Sequence, residues 1–371
     1  MPASFTGEIF HRILDELAGT MFAPNTKEAN MQDQAITSER QHQHLIKVSR
    51  TFALTIPLLP NEIADQISNA YLLCRIADTV EDDPKAPVDK KRAWLKEFAD
   101  FASGGFVDEM QLMSLSSKAS ELVEKGAKES ELALIKEMIP VLKRTLSYPQ
   151  PVRRILSRGV AILCCGMAKS LNGVTISTIQ DVDEYCYFVA GVVGELLACI
   201  FARADSNIDK EVLLRLSVSF GEGLQLTNIL KDRFEDAKRG VSFLPADAQS
   251  SEGITKYVAL TKGHLDDALD FILHIPVTQC GIRKFCLLNI CMAVATLRLM
   301  QDSSFRKQKI TRCKVKLLYL LTSWCAGNNF FTKVLYKIAG CGLKSQREDP
   351  EKLRERVSKW DKDTFDILIE D

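Results

Sequence analysis

The chain has 371 residues, of which 46% are apolar and 26% are charged, and its 48 basic side chains balance 48 acidic ones. This length and composition predict a folded protein with a substantial core, and the zero net charge argues against a nucleic-acid-binding protein. The eleven cysteines form no CxxC pair and are expected to be reduced thiols in a cytoplasmic protein. Neither a secretory signal nor a membrane-spanning segment is expected.

Hydrophobic residues recur with helical spacing along almost the whole chain, and strand-like alternation is nearly absent. A short amphipathic helix is expected over 5–23, followed by a loose stretch to 36. The next helix is expected to start at Thr37 and to be broken by Pro57 and Pro60. A proline-containing loop is expected over 82–89. Further helices are expected over 61–79, 89–104, 117–147, 151–172, 179–204, 209–237, 254–274, 278–302 and 312–340.

This pattern predicts an all-α protein with one helical-bundle domain over 37–344, preceded by an N-terminal segment, 1–36. The remaining residues, 345–371, form a charged tail, for which a solvated helix and a disordered segment are both open. Residues 315–340 are the best candidate for a peripheral membrane contact, because apolar and aromatic residues are frequent there.

Two segments share the pattern D-x-x-E-D, and each follows an apolar stretch of helix. On a helix, positions i, i+3 and i+4 share one face, so the three carboxylates of each motif converge. Carboxylate oxygens suit Mg²⁺, which also takes water and substrate phosphate as ligands. Two such motifs facing each other would form a diphosphate site. The six candidate metal ligands are Asp78, Glu81, Asp82, Asp232, Glu235 and Asp236.

The alternative interpretation of these motifs is a pair of solvated, acidic helix ends. Carboxylates are unfavourable late in a helix because the helix dipole is negative there. Like charges at i, i+3 and i+4 also repel each other. The occurrence of two copies, both late in their helices, favours a functional site over solvated helix ends.

Cationic and amide side chains lie near both motifs in the sequence. Arg50, Arg75 and Lys231 are candidates to bind a diphosphate, although an ordinary helix salt bridge between Arg75 and Asp78 is also open. Gln225 and Asn228 lie on the same helix face as Asp232. Tyr71 lies two helical turns before Asp78.

The segment from Tyr185 to Gly194 combines aromatic and small residues. Gly191 and Gly194 each lower helix stability by about 1 kcal/mol relative to alanine. A ligand that passes close to the backbone and a tight helix–helix contact would each explain these glycines.

Taken together, these segments resemble the squalene and phytoene synthase family of head-to-head prenyl transferases. The matching pieces occur in the family's order and cover about 37–340. They are Ser49-Arg-Thr-Phe52, Tyr71-Leu-Leu-Cys-Arg-Ile-Ala-Asp-Thr-Val-Glu-Asp-Asp83, Tyr185-Cys-Tyr-Phe-Val-Ala-Gly-Val-Val-Gly194 and Gln225-Leu-Thr-Asn-Ile-Leu-Lys-Asp-Arg-Phe-Glu-Asp236. The resemblance implies an isoprenoid-synthase helical bundle around a central cavity.

The resemblance also implies a role for each matching residue. Asp78, Asp82, Asp232 and Asp236 would bind Mg²⁺ and the diphosphate of farnesyl diphosphate. Tyr71 and Tyr185 would lie near the reacting carbons and complete the catalytic set. The implied diphosphate-binding residues are Ser49, Arg50, Arg75, Gln225, Asn228 and Lys231. The implied cavity-lining residues are Phe52, Val189, Ala190 and Gly194.

The implied reaction joins two farnesyl diphosphates through a cyclopropylcarbinyl diphosphate. Reduction by NADPH would then give squalene for sterol or hopanoid biosynthesis, and proton loss would give a phytoene or dehydrosqualene product. The segments Ile282–Cys286 and Ala293–Leu297 resemble the reductive branch of the family. So does Lys309-Ile-Thr-Arg312, where Lys309 and Arg312 would lie near NADPH, although a solvated loop is equally open.

The chain departs from the family pattern at two positions. Val241 stands where relatives often have arginine, and Asn289 stands where the eukaryotic enzymes often have proline. These departures leave the non-reductive reaction open as an alternative. A non-catalytic helical scaffold is a more distant one. The protein is expected to be a monomer with a possible peripheral membrane contact for product release.

Overall fold

The computed structural model describes residues 34–102, 109–171, 173, 175–238, 240–300 and 309–360. Residues 35–371 form one compact unit, and residues 1–34 form another. The helix predicted over 5–23 lies outside the described residues. Within them the chain is helical and contains no strand, as the all-α prediction required.

Sixteen α-helices, here numbered along the chain, account for the described fold. The first eight are α1 (Ser38–Val48), α2 (Arg50–Thr55), α3 (Asn61–Glu81), α4 (Val88–Ala102), α5 (Glu109–Val123), α6 (Glu129–Lys136), α7 (Met138–Ser147) and α8 (Gln150–Ser170). The others are α9 (Ile179–Cys186), α10 (Val192–Ala204), α11 (Lys210–Lys238), α12 (Ser251–Leu273), α13 (Cys280–Met300), α14 (Arg312–Cys325), α15 (Asn329–Ala339) and α16 (Pro350–Val357).

Several predicted helices are divided into shorter ones by side-chain caps and turns. The helix predicted from Thr37 ends at Val48, because Ser49 accepts a hydrogen bond from the Phe52 N–H at 3.2 Å and starts α2. The helix predicted over 117–147 is wrong as a single element and corresponds to parts of α5, α6 and α7. The helix predicted over 312–340 divides in the same way, because Asn328 caps α15.

The helix predicted over 179–204 contains one turn of π-helix at Tyr187–Gly191, between α9 and α10. In this turn the Val192 N–H bonds to the carbonyl of Tyr187, five residues earlier. A π-turn inserts one extra residue and rotates the side chains on either side of it, and such turns are frequent at functional sites. Hydrophobic periodicity does not reveal it, because the flanking helices remain apolar.

The longest helix, α11, spans 29 residues and packs against α10, α12, α13 and α16. Its contact with the π-turn and α10 is close. A Cβ atom added at Gly194 would lie 2.0 Å from the Ser217 carbonyl oxygen, and one added at Gly221 would lie 2.1 Å from that of Ala190. Gly194, which was predicted to line a cavity, lies against the backbone of α11, so a side chain at this position would disrupt the contact between α10 and α11.

Two segments are long and apolar enough to cross a membrane by length and composition, namely Ile179–Ala204 and Cys280–Met300. This differs from the expectation that no such segment exists. Within the bundle, 72% of an 18-residue apolar window in the first segment and 78% of such a window in the second is buried, as is also common for core helices of soluble proteins. Their apolar character alone therefore indicates little about membrane attachment.

All eleven cysteines are free thiols, as the sequence predicts. Burial raises the pKa of Cys74 to about 12 and that of Cys199 to about 11. Thiols held in the protonated form are poor nucleophiles and poor metal ligands. Those of the core therefore act as small apolar side chains.

The described part of the C-terminal tail packs against the bundle through α16. Leu353 and Val357 are buried. Arg354 donates to the buried Glu195 at 2.7 Å, and Arg356 donates to Asp183 at 2.6 Å. These contacts with α9 and α10 hold the tail against the same two helices that flank the π-turn, so the charge of this segment is partly neutralised by the bundle.

Candidate active site

The first acidic motif occupies the last turn of α3 and the residue that follows it. Asp78 and Glu81 are half-buried, and Asp82 is exposed. Burial, the neighbouring carboxylates and, for Glu81, a hydrogen bond with Asp82 raise the pKa of both Asp78 and Glu81 to about 7. Arg75 opposes this shift at Asp78 and Lys91 opposes it at Glu81. Burial therefore disfavours the ionised forms of both carboxylates.

Arg75, one turn before Asp78, forms salt bridges. Its guanidinium bonds to Glu131 of α6 and lies 3.6 Å from Asp78. The helix salt bridge that the sequence left open is therefore present, and Arg75 is shared between two carboxylates. Its Nε atom is buried and has no hydrogen-bond partner. Glu131 was not predicted as a site residue, because the sequence of α6 does not show that this side chain contacts Arg75 of α3.

Asp83, which directly follows the motif, has a structural role. Its side chain is buried, and its Oδ1 accepts hydrogen bonds from the backbone N–H groups of Lys85 at 2.8 Å and Ala86 at 3.0 Å. It therefore fixes the loop that ends α3, and it is set apart from the exposed Asp82.

The predicted Ser49–Phe52 segment lies beside the first motif. The Phe52 and Tyr71 rings are 5.0 Å apart, and Ser49 lies within hydrogen-bonding reach of the Tyr71 hydroxyl. Tyr71 in turn lies close enough to Arg75 and Asp78 for their charges to act on its pKa, which is raised mainly by burial. Arg50 is exposed at the first position of α2. The structure thus brings Ser49 and Phe52 to Tyr71, two helical turns before Asp78.

The second acidic motif occupies the C-terminal part of α11 and lines an open cavity of about 520 Å³. This volume falls within the range of small-molecule sites. Asp236 is buried, and Glu235 is exposed. Lys231 bonds to Asn228 at 2.8 Å and lies 3.1 Å from Asp232. The residues that line the cavity are Tyr185, Gln225, Asn228, Ile229, Lys231, Asp232, Glu235, Asp236, Phe243 and Lys309.

Tyr185 connects the two motifs. Its ring stacks on that of Phe243 at 4.8 Å, and both line the cavity beside the second motif. Its hydroxyl is buried, which raises its pKa, and the charges of Glu81, Asp82 and Asp78 raise it further. The first motif therefore acts electrostatically on a residue of the cavity that the second motif lines. Tyr185 lies two residues before the first residue of the π-turn.

Eight predicted site residues meet at this cavity, and Ile229 and Phe243 join them without having been predicted. Phe243 lies after α11 in the segment following Gly240, where the sequence carries no periodic signal. Lys309 lines the cavity, whereas Arg312 is exposed at the start of α14 and does not. Of the four predicted cavity-lining residues, Phe52 packs on Tyr71, Val189 and Ala190 belong to the π-turn, and Gly194 packs on α11.

The residues present fit a magnesium site that is completed by substrate. The donors are all carboxylates, and a bound cation would favour the ionised forms of Asp78 and Glu81, whose pKa values burial raises. Among the described residues, no three potential ligands are already close enough to hold a metal together. Magnesium keeps several waters and bridges to phosphate, so each motif needs to supply only one or two ligands.

The described chain is thus an all-helical bundle in which the second acidic motif lines a cavity and the first acts electrostatically on Tyr185 of the same cavity. A solved complex of TcSQS with the ligand BPH1237 has this fold with a TM-score of 0.68 at 21% identity, covering 90% of this chain and 98% of that one. A solved dehydrosqualene synthase gives a TM-score of 0.52 at 17% identity, covering 77% of this chain and 95% of that one.

The chain belongs to the squalene/phytoene synthase family, whose sequence profile matches residues 45–319. The squalene synthase of Schizosaccharomyces pombe is 28% identical over 303 residues, which are 75% of this chain and 62% of that protein. The chain therefore matches less than two thirds of the length of this relative. The matched family region contains both acidic motifs and Tyr185, and it ends inside α14.

Proposed function

We propose that this protein is a squalene synthase, a Mg²⁺-dependent enzyme that joins two farnesyl diphosphates head to head and reduces the product with NADPH. The observation that carries the proposal is the position of Tyr185. Tyr185 lines the cavity beside the second acidic motif, and the charges of the first motif raise the pKa of its hydroxyl. The two motifs can thus act on one substrate pair.

The diphosphate would bind at the polar end of the cavity. Asp78, Asp82, Asp232 and Asp236 would hold the magnesium ions, with Glu81 and Glu235 as further oxygen donors. Bound magnesium would neutralise charge on the departing diphosphate. The ammonium group of Lys231 contacts both Asp232 and Asn228. A small rotation of this side chain would let it donate to a phosphate oxygen instead. Gln225 and Asn228 would orient the phosphate with their amide groups.

The reacting carbons would lie against the aromatic residues. Tyr185 and Phe243 offer a stacked pair of rings in the cavity, and Phe52 and Tyr71 form a second pair near the first motif. The face of an aromatic ring attracts a cation, so these rings would stabilise the allylic cation that forms when diphosphate leaves. Ile229 adds an apolar surface that excludes water from it.

Lys309 supports the reductive branch. It is the residue of the predicted cofactor-binding pair that lines the cavity, and its ammonium group suits a phosphate of NADPH. Bound NADPH would supply the hydride of the second half-reaction. Arg312 lies three residues further on at the exposed start of α14, so we assign it a weaker role.

Product analysis with and without NADPH tests the proposal. The full chain is incubated with farnesyl diphosphate and Mg²⁺, and the extracted hydrocarbons are identified by gas chromatography–mass spectrometry. Squalene that forms only with NADPH is the expected result. A dehydrosqualene-type product that forms regardless of NADPH would replace the proposal with the non-reductive reaction.

The Asp232→Asn variant is the control that links any product to this site. If the wild-type protein gives no product from farnesyl or geranylgeranyl diphosphate, the non-catalytic scaffold becomes the better interpretation. We further propose that the protein acts in the cytoplasm as a monomer, in contact with the membranes that would receive its hydrocarbon product.

A further inference from the structure

The two helices that follow Lys309 display apolar side chains on the protein surface. Among the described residues, seven of the fifteen exposed large hydrophobic side chains lie in α14 and α15. Trp324 is 85% exposed and Phe330 is 68% exposed. Contiguous apolar surface of this kind marks an interaction site. We name the set the hairpin surface, and its members are Leu317, Leu320, Leu321, Trp324, Phe330, Phe331 and Ile338.

Each of the two helices has two apolar faces, one buried against the bundle and one exposed as part of the hairpin surface. In α14, Leu318 and Thr322 are buried, and the bundle contact is made on this side. Leu317, Leu320, Leu321 and Trp324 are spaced i, i+3, i+4 and i+7, so they form a continuous second stripe. In α15, Leu335 and Tyr336 are buried, while Phe330 and Phe331 lie in the exposed first turn.

The buried Arg283 holds this hairpin in place. Its guanidinium donates to the Ala326 carbonyl at the end of α14 and to Asn329 and Thr332 of α15. Asn328 caps α15 by accepting from the N–H groups of Phe330 at 2.9 Å and Phe331 at 3.3 Å. The exposed aromatic residues are therefore carried by a turn with fixed hydrogen bonds.

The charge of this region identifies its partner. The whole chain has equal numbers of acidic and basic residues, yet residues 309–344 contain seven cationic side chains and no Asp or Glu. An apolar and aromatic face flanked only by cations is the composition of helices that lie on anionic lipid surfaces. Long lysine side chains can reach the lipid phosphates while the aromatic residues enter the interface. The seven are Lys309, Arg312, Lys314, Lys316, Lys333, Lys337 and Lys344.

The helix that carries the hairpin surface follows the candidate active site closely in the chain. Lys309 lines the cavity, and α14 starts three residues later. A helix of 14 residues is about 21 Å long, and Leu317, the first member of the hairpin surface, lies in the second turn of α14.

We propose that α14 and α15 form a docking surface for membranes that contain anionic lipids, with Trp324 and Phe330 inserted into the interface. This proposal does not depend on the reaction assigned above, because it concerns a surface that none of the catalytic residues forms. A second copy of the chain, or chain segments outside the described residues, are the competing occupants, and they predict different results.

Vesicle sedimentation tests the proposal with the full chain and without substrate. Binding is compared between vesicles of phosphatidylcholine alone and vesicles with an equal part of phosphatidylserine. We expect at least about tenfold tighter binding to the anionic vesicles, because each lysine near such a surface contributes to the attraction. Added salt should weaken it.

Matched variants assign the binding to the hairpin surface. Trp324→Ser combined with Phe330→Ser should weaken binding to anionic vesicles by about tenfold or more. Met110→Ser is the control, because Met110 is 77% exposed but lies on α5. Lys333→Gln combined with Lys337→Gln should reduce binding to the level seen with neutral vesicles. A blue shift of tryptophan emission on binding, absent in Trp324→Phe, would place Trp324 in the interface.

Three outcomes would overturn the proposal. The first is wild-type protein that binds neither type of vesicle. The second is serine variants that bind as well as wild type. The third is a dimer, seen by light scattering, that the serine variants dissociate while vesicle binding is absent, in which case a second copy covers the surface. Turnover of detergent-dispersed substrate should be unchanged in the serine variants, so loss of docking and loss of catalysis are distinguishable.

Discussion

The two D-x-x-E-D motifs have the same spacing, yet their surroundings differ. The first ends α3 and is crowded by Glu131, with Arg75 shared between Glu131 and Asp78. The second lies in α11, where Lys231 pairs with Asp232 and the carboxylates open onto the cavity. The same sequence pattern therefore gives one cluster whose arginine is shared with a carboxylate outside the motif, and one cluster whose lysine pairs with a carboxylate of the motif itself.

This difference indicates that the two motifs have different roles. A cluster whose carboxylates have raised pKa values gains the most from a bound cation, because the cation stabilises the ionised form. In the second cluster, Lys231 lies 3.1 Å from Asp232, and the cluster lines the cavity in which the substrate would lie. Under the proposed function, the first motif would depend more strongly on Mg²⁺, and the second would contribute more to holding the diphosphate.

The largest expected effect is on turnover. Asp78→Asn and Asp232→Asn should each reduce turnover by about a thousandfold, because each removes a ligand for the ion that stabilises the leaving group. Turnover is measured from the product formed with saturating farnesyl diphosphate. Asp89→Asn, on the exposed start of α4, is the matched control and should retain wild-type activity. Retained turnover in either motif variant would contradict the two-motif site.

Tyr185 tests the connection between the motifs. Tyr185→Ala should lower kcat by about thirtyfold, because it removes a ring face worth about 2 kcal/mol to a buried cation. Tyr185→Phe keeps the ring and its stacking on Phe243, so it should lose far less. Equal losses in the two variants would show that the hydroxyl, rather than the ring, carries the effect.

Lys309 tests the reductive branch. Lys309→Gln should raise the KM for NADPH by about tenfold, the usual size of a lost charge-assisted contact, while the first half-reaction continues. Arg312→Gln is the control, since Arg312 does not line the cavity. The readout is the ratio of squalene to the cyclopropyl diphosphate at several NADPH concentrations. A larger effect of Arg312→Gln would reverse the assignment.

The smallest expected effect is on the stability of the protein, and its sign should differ between the two motifs. In metal-free buffer at neutral pH, Asp78→Asn should raise Tm, because it removes a carboxylate from a crowded, half-buried cluster. Asp232→Asn should lower stability by about 0.5 kcal/mol through loss of the Lys231 pair. Added Mg²⁺ should raise the Tm of wild type more than that of Asp78→Asn. Shifts of the same sign in both variants would argue against different surroundings.

The spacing of side chains along each helix could be read from the sequence. The helical spacing of Asp78, Glu81 and Asp82 is a property of a few consecutive residues, so it could be read without a fold. The same holds for the all-α prediction, which depends on periodicity that nearly every segment repeats. The sequence also indicated the apolar and aromatic composition of residues 315–340, although not which side chains are exposed.

Contacts between distant segments could not be predicted. Glu131 bonds to Arg75, Phe243 stacks on Tyr185, and the backbone of Ser217 lies against Gly194. Each pair is far apart in the chain, and the residue types involved are compatible with many partners.

By itself, the sequence determined the helices, the two convergent sets of carboxylates and the resemblance to the family. It could do so because helix formation and the spacing of side chains on one face depend on residues within a few turns of each other. Only the tertiary structure decided which cation serves which carboxylate, which residues line the cavity and which apolar faces remain exposed. Those properties depend on how helices pack against each other, and packing brings together side chains whose separation along the chain carries no signal.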